Sequence, residues 1–219
     1  MDVRLRLTLA LCAAVSCGLR AQVIEFESGG LKYQTLSKKG VTVMFAQLPT
    51  HLREYNIVQI AVSNGASTAC TVRPEEFSFQ RPDGGTIRAA PARAVVDHLI
   101  ARGSRNDVIR LVAAYESSLY GIAKFRSTNG YEQRRQAAVA DLTSTKLKAA
   151  AAASAIALVE AKLTPGQSTD GAVFFPSDGK PLGPGRLHCR LAGESFEFEN
   201  EPETTKSLRP SRVEKSAGP

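Results

Sequence analysis

The side chains best equipped for chemistry are spread thinly through this 219-residue chain. His51, His98 and His188 stand far apart, with none at ligand spacing to another. Zinc sites draw their imidazoles and thiolates from short, repeated intervals, so no metal site is expected. Asp97 directly precedes His98, but neighbours on a helix point about 100° apart, which keeps them from forming an acid–base dyad. Glu75-Glu76 and the alternate pair Glu197 and Glu199 read as charges on exposed strand faces. The chain has no Gly-x-Ser-x-Gly elbow, no Gly-x-x-x-x-Gly-Lys phosphate loop and no His-Glu-x-x-His helix. The reading therefore expects no catalytic residue and no cofactor.

One segment instead carries groups suited to recognition. Phe125 to Arg135 reads Phe-Arg-Ser-Thr-Asn-Gly-Tyr-Glu-Gln-Arg-Arg. Arginine forks pair with carboxylates and phosphates, and tyrosine offers a flat amphipathic surface. Arg126, Asn129, Tyr131, Arg134 and Arg135 are the candidate binding residues, with Tyr115 and Tyr120 extending the surface along the preceding helix. The same residues also read as a capped turn, in which Asn129 caps a helix, Gly130 gives backbone freedom and the arginines are solvated. Lys38-Lys39 and the stretch from Arg88 to Arg93 are weaker basic candidates.

The compartment narrows the chemistry further. Met1 to Ala21 has the anatomy of an export signal: Arg4 and Arg6 at the start, an apolar run from Leu5 to Val15, and Leu19-Arg20-Ala21 ending on a small residue. The run is shorter than the ~20 residues that span a bilayer. A second reading stays open, because Ala14-Val15-Ser16-Cys17 fits a bacterial lipobox in which Cys17 is lipidated. The protein is expected to be periplasmic or secreted, and membrane-anchored only if Cys17 carries lipid. Loss of Arg4, Arg6, Arg20 and Asp2 lowers the formal charge from +7 to +5. That modest excess suits anionic envelope surfaces or an ordinary solvated face, and an exported chain of mixed charge has little reason to meet nucleic acid.

Plain cleavage after Ala21 removes Cys12 and Cys17 and leaves Cys70 and Cys189. Two thiols in an oxidising compartment predict one disulfide. In Leu187-His188-Cys189-Arg190-Leu191 the cysteine shares a strand face with the leucines, and Cys70 shares one with Val72, so both point inward.

The elements that must hold these groups follow from period. Val41, Val43 and Phe45 alternate with Thr42 and Met44; Val58, Ile60 and Val62 run to a turn pair at Asn64-Gly65; Phe77 and Phe79 precede the turn Pro82-Asp83-Gly84-Gly85. Strands are expected from Leu31 to Ala90, each with one buried and one exposed face. At Pro91 the period becomes helical. Val95, Val96, Leu99 and Ile100 form a stripe ended by Gly103. Ser104-Arg105-Asn106-Asp107 reads as a capping box, with aspartate replacing the usual Glu or Gln. Val108, Leu111, Val112, Tyr115, Leu119 and Ile122 line the next helix. Further helix is expected from Tyr131 to Ala161, perforated near Thr143-Ser144-Thr145 and alanine-rich from Ala149. Strands resume after Pro165-Gly166 at Ala172–Phe175, Arg186–Leu191 and Ser195–Glu199, and the polar stretch 201–219 has too little apolar surface to order.

Val58 to Phe79, with Asn64-Gly65 followed by Val72-Arg73-Pro74-Glu75-Glu76-Phe77, resembles immunoglobulin-like sandwich domains of uncharacterised exported bacterial proteins. Leu163-Thr164-Pro165-Gly166-Gln167-Ser168 leading into Gly171–Phe175 is similar to their later strand after a Pro-Gly turn. The stretches Ser127–Glu132 and Lys146–Leu158 resemble a group of such exported proteins. The resemblance covers about half the chain and implies a binding or scaffolding role by fold analogy.

The expected architecture is mainly β with an α insertion (α+β): an immunoglobulin-like antiparallel β-sandwich from 22–90 and 163–200, interrupted by a helical hairpin or three-helix insertion at 91–162, between a signal at 1–21 and a tail at 201–219. The expected function is a non-enzymatic cell-envelope binding or assembly module whose sandwich presents a helical recognition element to another envelope protein. The alternatives are an exported hydrolase of unrecognised type and a structural subunit of an envelope complex.

Overall fold

A computed structural model describes residues 22–120, 130, 131, 133, 134, 136 and 144–200. The signal and Cys17, the tail at 201–219, and the candidates Arg126, Asn129 and Arg135 lie outside the described residues. In chain order the strands are β1 (Ile24–Ser28), β2 (Leu31–Lys38), β3 (Val41–Leu52), β4 (Tyr55–Asn64), β5 (Cys70–Val72), β6 (Phe77–Gln80) and β7 (Thr86–Arg88). Helices α1 (Ala92–Arg102), α2 (Arg105–Tyr120) and α3 (Thr145–Ile156) follow, then β8 (Ala161–Leu163), β9 (Ser168–Pro176), β10 (Gly185–Leu191) and β11 (Glu194–Asn200). The chain is thus α+β, dominated by antiparallel sheet. One sheet runs β1-β2-β3-β4-β9, a second β11-β10-β6-β7, and β5 pairs with β8 alone. Each pairing between these strands is antiparallel.

The five-stranded sheet is a middle layer because both of its faces are apolar. Val41, Val43, Phe45, Val58, Ile60, Val62, Val173 and Phe175 share one cluster with Phe77, Phe79, Leu187, Leu191, Phe196 and Phe198 of the four-stranded sheet. On the opposite face Tyr33, Ala46, Leu48, Ile57, Ala172 and Phe174 pack with Val95, Leu99, Leu111, Tyr115 and the alanines of α3. Alternation in β4 predicts one exposed face, yet Ile57, Gln59 and Ala61 are buried as fully as Val58 and Ile60. The helices cover that face, which periodicity within one strand cannot reveal. β1 also escapes the sequence expectation. It lies at the sheet edge, with Ile24 61% exposed and Phe26 stacked on Tyr33 at 5.2 Å between ring centroids.

The outer edge of β9 fixes where the helical segment begins and ends. On entry, the Ala90 N–H donates to the Phe174 carbonyl at 2.7 Å. On return, the Leu158 N–H donates to the Ala172 carbonyl at 2.9 Å. The expected helix through Ala161 therefore stops at Ile156, and Ala161–Leu163 become β8, paired with β5. Sheet-edge hydrogen bonds override the helix preference of an alanine-rich stretch. Gly171 makes the return possible, since a Cβ there would lie 2.4 Å from Leu158 Cα and 2.5 Å from its nitrogen.

Helix junctions follow the capping chemistry expected of them. Ser104 Oγ and N both donate to Asp107 Oδ2 at 2.8 Å, while the Asp107 N–H reaches back to Ser104 Oγ at 3.4 Å. Gly103 does cap α1, with its N–H 2.7 Å from the Leu99 carbonyl, but at φ −60° it is not left-handed. Its missing side chain matters for space, because a Cβ would meet Leu99 O at 2.5 Å and Ala149 Cβ at 2.9 Å. Substitution Gly171→Ala is expected to cost about 3 kcal/mol, the upper range for overpacking. Denaturant titration would read this as a lower midpoint at unchanged slope, and an unchanged midpoint would contradict the close approach.

Candidate functional site

A cleft of about 440 Å³ opens at one end of the two sheets, where the β1–β2 turn, the far half of β3, the end of β11 and the β9–β10 loop converge. Its size falls within the ~300–1,000 Å³ typical of small-ligand sites. Leu31, Phe45, Leu48, Pro49 and Pro181 supply apolar wall, and Gln34, Gln47, Asn56 and Asn200 supply amides. A bulge shapes the β3 wall. Gln47 pairs with Val58 and His51 with Asn56, so three residues of β3 stand against Ile57 alone. Pro49 lies within the bulge, where the ladder needs no N–H from it.

The amides are oriented from behind. Gln34 Nε2 donates to Glu25 Oε1 at 2.6 Å and to the Glu199 carbonyl at 2.7 Å. Asn56 Nδ2 donates to Ser177 Oγ and, at 2.7 Å, to the Lys180 carbonyl. Asn200 Nδ2 donates to the Gly183 carbonyl at 2.6 Å. Carbonyl acceptors fix which end of each amide is nitrogen. Charged groups at the rim are paired: Lys32 Nζ lies 2.9 Å from Glu25 Oε2, and Arg186 Nη2 lies 3.5 Å from Glu199 Oε1. A second cleft, lined by Arg81, Pro82, Pro184 and Arg186, shares Glu199 and Asn200 with the first.

Beneath the helices lies a buried polar centre. Asp170, 1% exposed on β9, accepts hydrogen bonds from Tyr115 Oη of α2 and from Gln59 Nε2 of β4, the latter at 3.1 Å. A buried carboxylate needs such donors to offset its desolvation, so this centre joins α2 to the middle sheet. Of the sequence candidates for recognition, the two described ones turn inward. Tyr131 is 6% exposed, its ring 4.8 Å from that of Tyr115 and its hydroxyl 3.3 Å from Glu116 Oε1. Arg134 Nη1 donates to the Ser154 and Ala157 carbonyls at 3.3 and 3.4 Å, where a cation complements the C-terminal end of α3.

Two histidines find partners that sequence neighbours did not suggest. His98 Nδ1 lies 3.0 Å from Glu54 Oε1, not against Asp97, and Asp97 lies 3.9 Å from Arg93 instead. His188 Nε2 and Ser195 Oγ are 2.8 Å apart on neighbouring strands β10 and β11. Lys38 and Lys39 serve the same corner, bonding the Ser195 carbonyl and Glu194. No group of three or more metal-ligating side chains occurs among the described residues. None of the helices among the described residues is long and apolar enough to cross a membrane.

The expected disulfide is not formed. Cys70 and Cys189 are both buried in the inter-sheet cluster, as their strand phase predicts, but both are free thiols. Cys189 stands in register with Phe77 and Phe196, whose rings share the same cluster. Burial in one core does not by itself supply the Cα separation of roughly 4.4–6.8 Å that a bridge needs. Burial, with Glu76 adding to it, pushes both thiols above their ordinary range, which keeps them protonated and poor nucleophiles.

Comparison of the chain with protein-family models, curated proteins and solved structures returned no match. The amide cleft therefore rests on its own geometry. Sequence reasoning missed it because its residues come from five separate segments, and no short motif contains two of its oriented amides.

Electrostatics also fix the helices to the β3–β4 turn near this end of β4. Arg53 Nη2 and Nε reach Asp107 Oδ2 at 3.0 and 3.2 Å, with Arg53 held at φ +53° in the turn. Burial works to raise the Asp107 pKa, but hydrogen bonds from Ser104 and the Arg53 charge outweigh it and leave the value lowered. A lowered folded value means stability that is complete above the unfolded value of about 3.9 and disappears as pH falls through the folded one. Asp107→Asn is expected to cost about 2 kcal/mol at neutral pH, and the gap from the parent protein should close below about pH 4. A gap that persists in acid unfolding titrations would contradict this role.

Proposed function

We propose that the chain is an exported cell-envelope binding or assembly module. It is an immunoglobulin-like β-sandwich carrying a helical insertion, with the amide cleft as its binding site and another envelope protein as its partner. Two antiparallel sheets sharing one apolar cluster support the sandwich reading. Attachment of both ends of the helical segment to β9, at Phe174 and Ala172, supports the insertion reading. The observation that carries the binding role is the cleft itself: amides oriented from behind by Glu199, Lys180 and Gly183 carbonyls beside an apolar wall. Pockets of this type, mostly apolar with a few fixed polar groups, select and orient ligands. In this reading the helices brace the middle sheet, with Tyr131 and Arg134 in packing roles, and Cys17 would add a membrane anchor only if lipidated.

An exported hydrolase is the second reading, favoured by the His188–Ser195 pair at 2.8 Å, since activation by a nearby base is what a serine nucleophile requires. A photo-crosslinking residue placed at Gln47, in cells that export the protein, is expected to capture one envelope protein repeatedly. The same residue at Ile109, exposed on α2, is expected not to capture it. Capture only from 109 would move the interface to the helices. Failure at both positions, with a fluorophosphonate labelling Ser195 in the folded protein, would replace binding with hydrolysis.

A further inference from the structure

We infer that the cleft selects a cationic side chain, an arginine or lysine on an extended segment of the partner protein; this rests on the binding reading above. Selectivity depends on which atoms the amides have left to offer. Gln34 and Asn56 each commit both N–H bonds of their amide nitrogen to acceptors within the protein, and Asn200 commits one to Gly183. An amide held by its nitrogen turns its oxygen the other way. Gln34 Oε1 is buried and has no hydrogen-bond partner. Among the described residues the Asn56 and Asn200 side chains bond through their nitrogens, and both line the cleft beside Gln47. The Gln34 and Asn56 amides therefore have only their oxygens left to offer, and Asn200 its oxygen and one N–H.

A ligand complementary to such a wall must bring donors. Guanidinium and ammonium groups are the side chains that donate only, with five and three N–H bonds and no acceptor. The Glu199 carboxylate at the rim adds a charge of the right sign, and its present counterion, Arg186, sits at a loose 3.5 Å in the open. The opposing charge, Lys32, is engaged with Glu25 at 2.9 Å. Leu31, Phe45, Leu48 and Pro181 give the methylene stem of an arginine or lysine an apolar track. The neighbouring cleft sets two cationic donors, Arg81 and Arg186, beside the shared Glu199 and Asn200. An extended segment crossing both would therefore place its basic residue in the amide cleft and not in the neighbour.

The test uses the full mature chain and three acetylated, amidated pentapeptides, Ala-Ala-X-Ala-Ala, in which X is arginine, citrulline or glutamate. Citrulline keeps the shape of arginine and loses its charge. Binding is followed by nuclear magnetic resonance shifts of the side-chain amides of Gln47, Asn56 and Asn200. The arginine peptide is expected to bind at least tenfold more tightly than citrulline, and glutamate not at all. Glu199→Gln and Gln47→Leu, which touch no internal amide bond, should each weaken arginine severalfold while leaving the melting curve in place. Equal affinity for arginine and citrulline would overturn cation selection and leave the binding reading standing. So would capture of a partner from position 47 with no peptide binding. Loss of both peptide binding and capture would overturn the binding reading itself. Binding that appears only after Arg209 and Arg212 are changed to glutamine would assign the cleft to the chain's own C-terminal segment, and overturn the external partner.

Discussion

The outer edge of β9 is the constraint on which the architecture depends. An edge strand offers a row of unpaired backbone groups, and proteins cover or blunt such edges. Here the cover is the chain itself, arriving at Phe174 through Ala90 and returning at Ala172 through Leu158. The approach is so close that residue 171 must lack a side chain. Directly before it, Asp170 holds Tyr115 and Gln59. A stretch of five residues thus ties entry, exit and middle of the helical layer to one strand, and the β4 face beneath it becomes core instead of surface.

The same strand links this anchorage to the cleft. β9 runs on to Pro176 and into the loop whose Ser177 and Lys180 bond Asn56, and whose Pro181 and Gly183 wall the cleft. Ser177 also bonds the Glu54 carbonyl, and Glu54 in turn meets His98 of α1. Helix packing at one end of β9 and amide orientation at the other are therefore parts of one connected frame. A site built on strands and bonded loops holds its geometry better than one on free loops.

Much of the strand pattern was legible. Val41, Val43 and Phe45, or Phe77 and Phe79, declare their buried face because alternation is a local property. The Ser104–Asp107 cap was legible for the same reason. What the chain hides is anything set by a distant partner. Gln59 looks like a surface residue until Asp170 and Tyr115 close over it. Ala157 to Ala161 reads as helix until β9 and β5 claim it. Tyr131 and Arg134 look like recognition groups because composition reports chemistry and not direction. The cleft was the least visible feature, since Gln34, Asn56 and Asn200 matter through the orientation of their amides and not through their spacing.

Native-state hydrogen exchange at the Ala90 and Leu158 amides tests the central claim most directly, because those two bonds join the helical segment to β9. The account predicts that both exchange with the free energy of global unfolding, together with the β4 amides at the heart of the sheet. Exchange of these two amides and the helices through a separate, lower-energy opening, with β4 still protected, would contradict it.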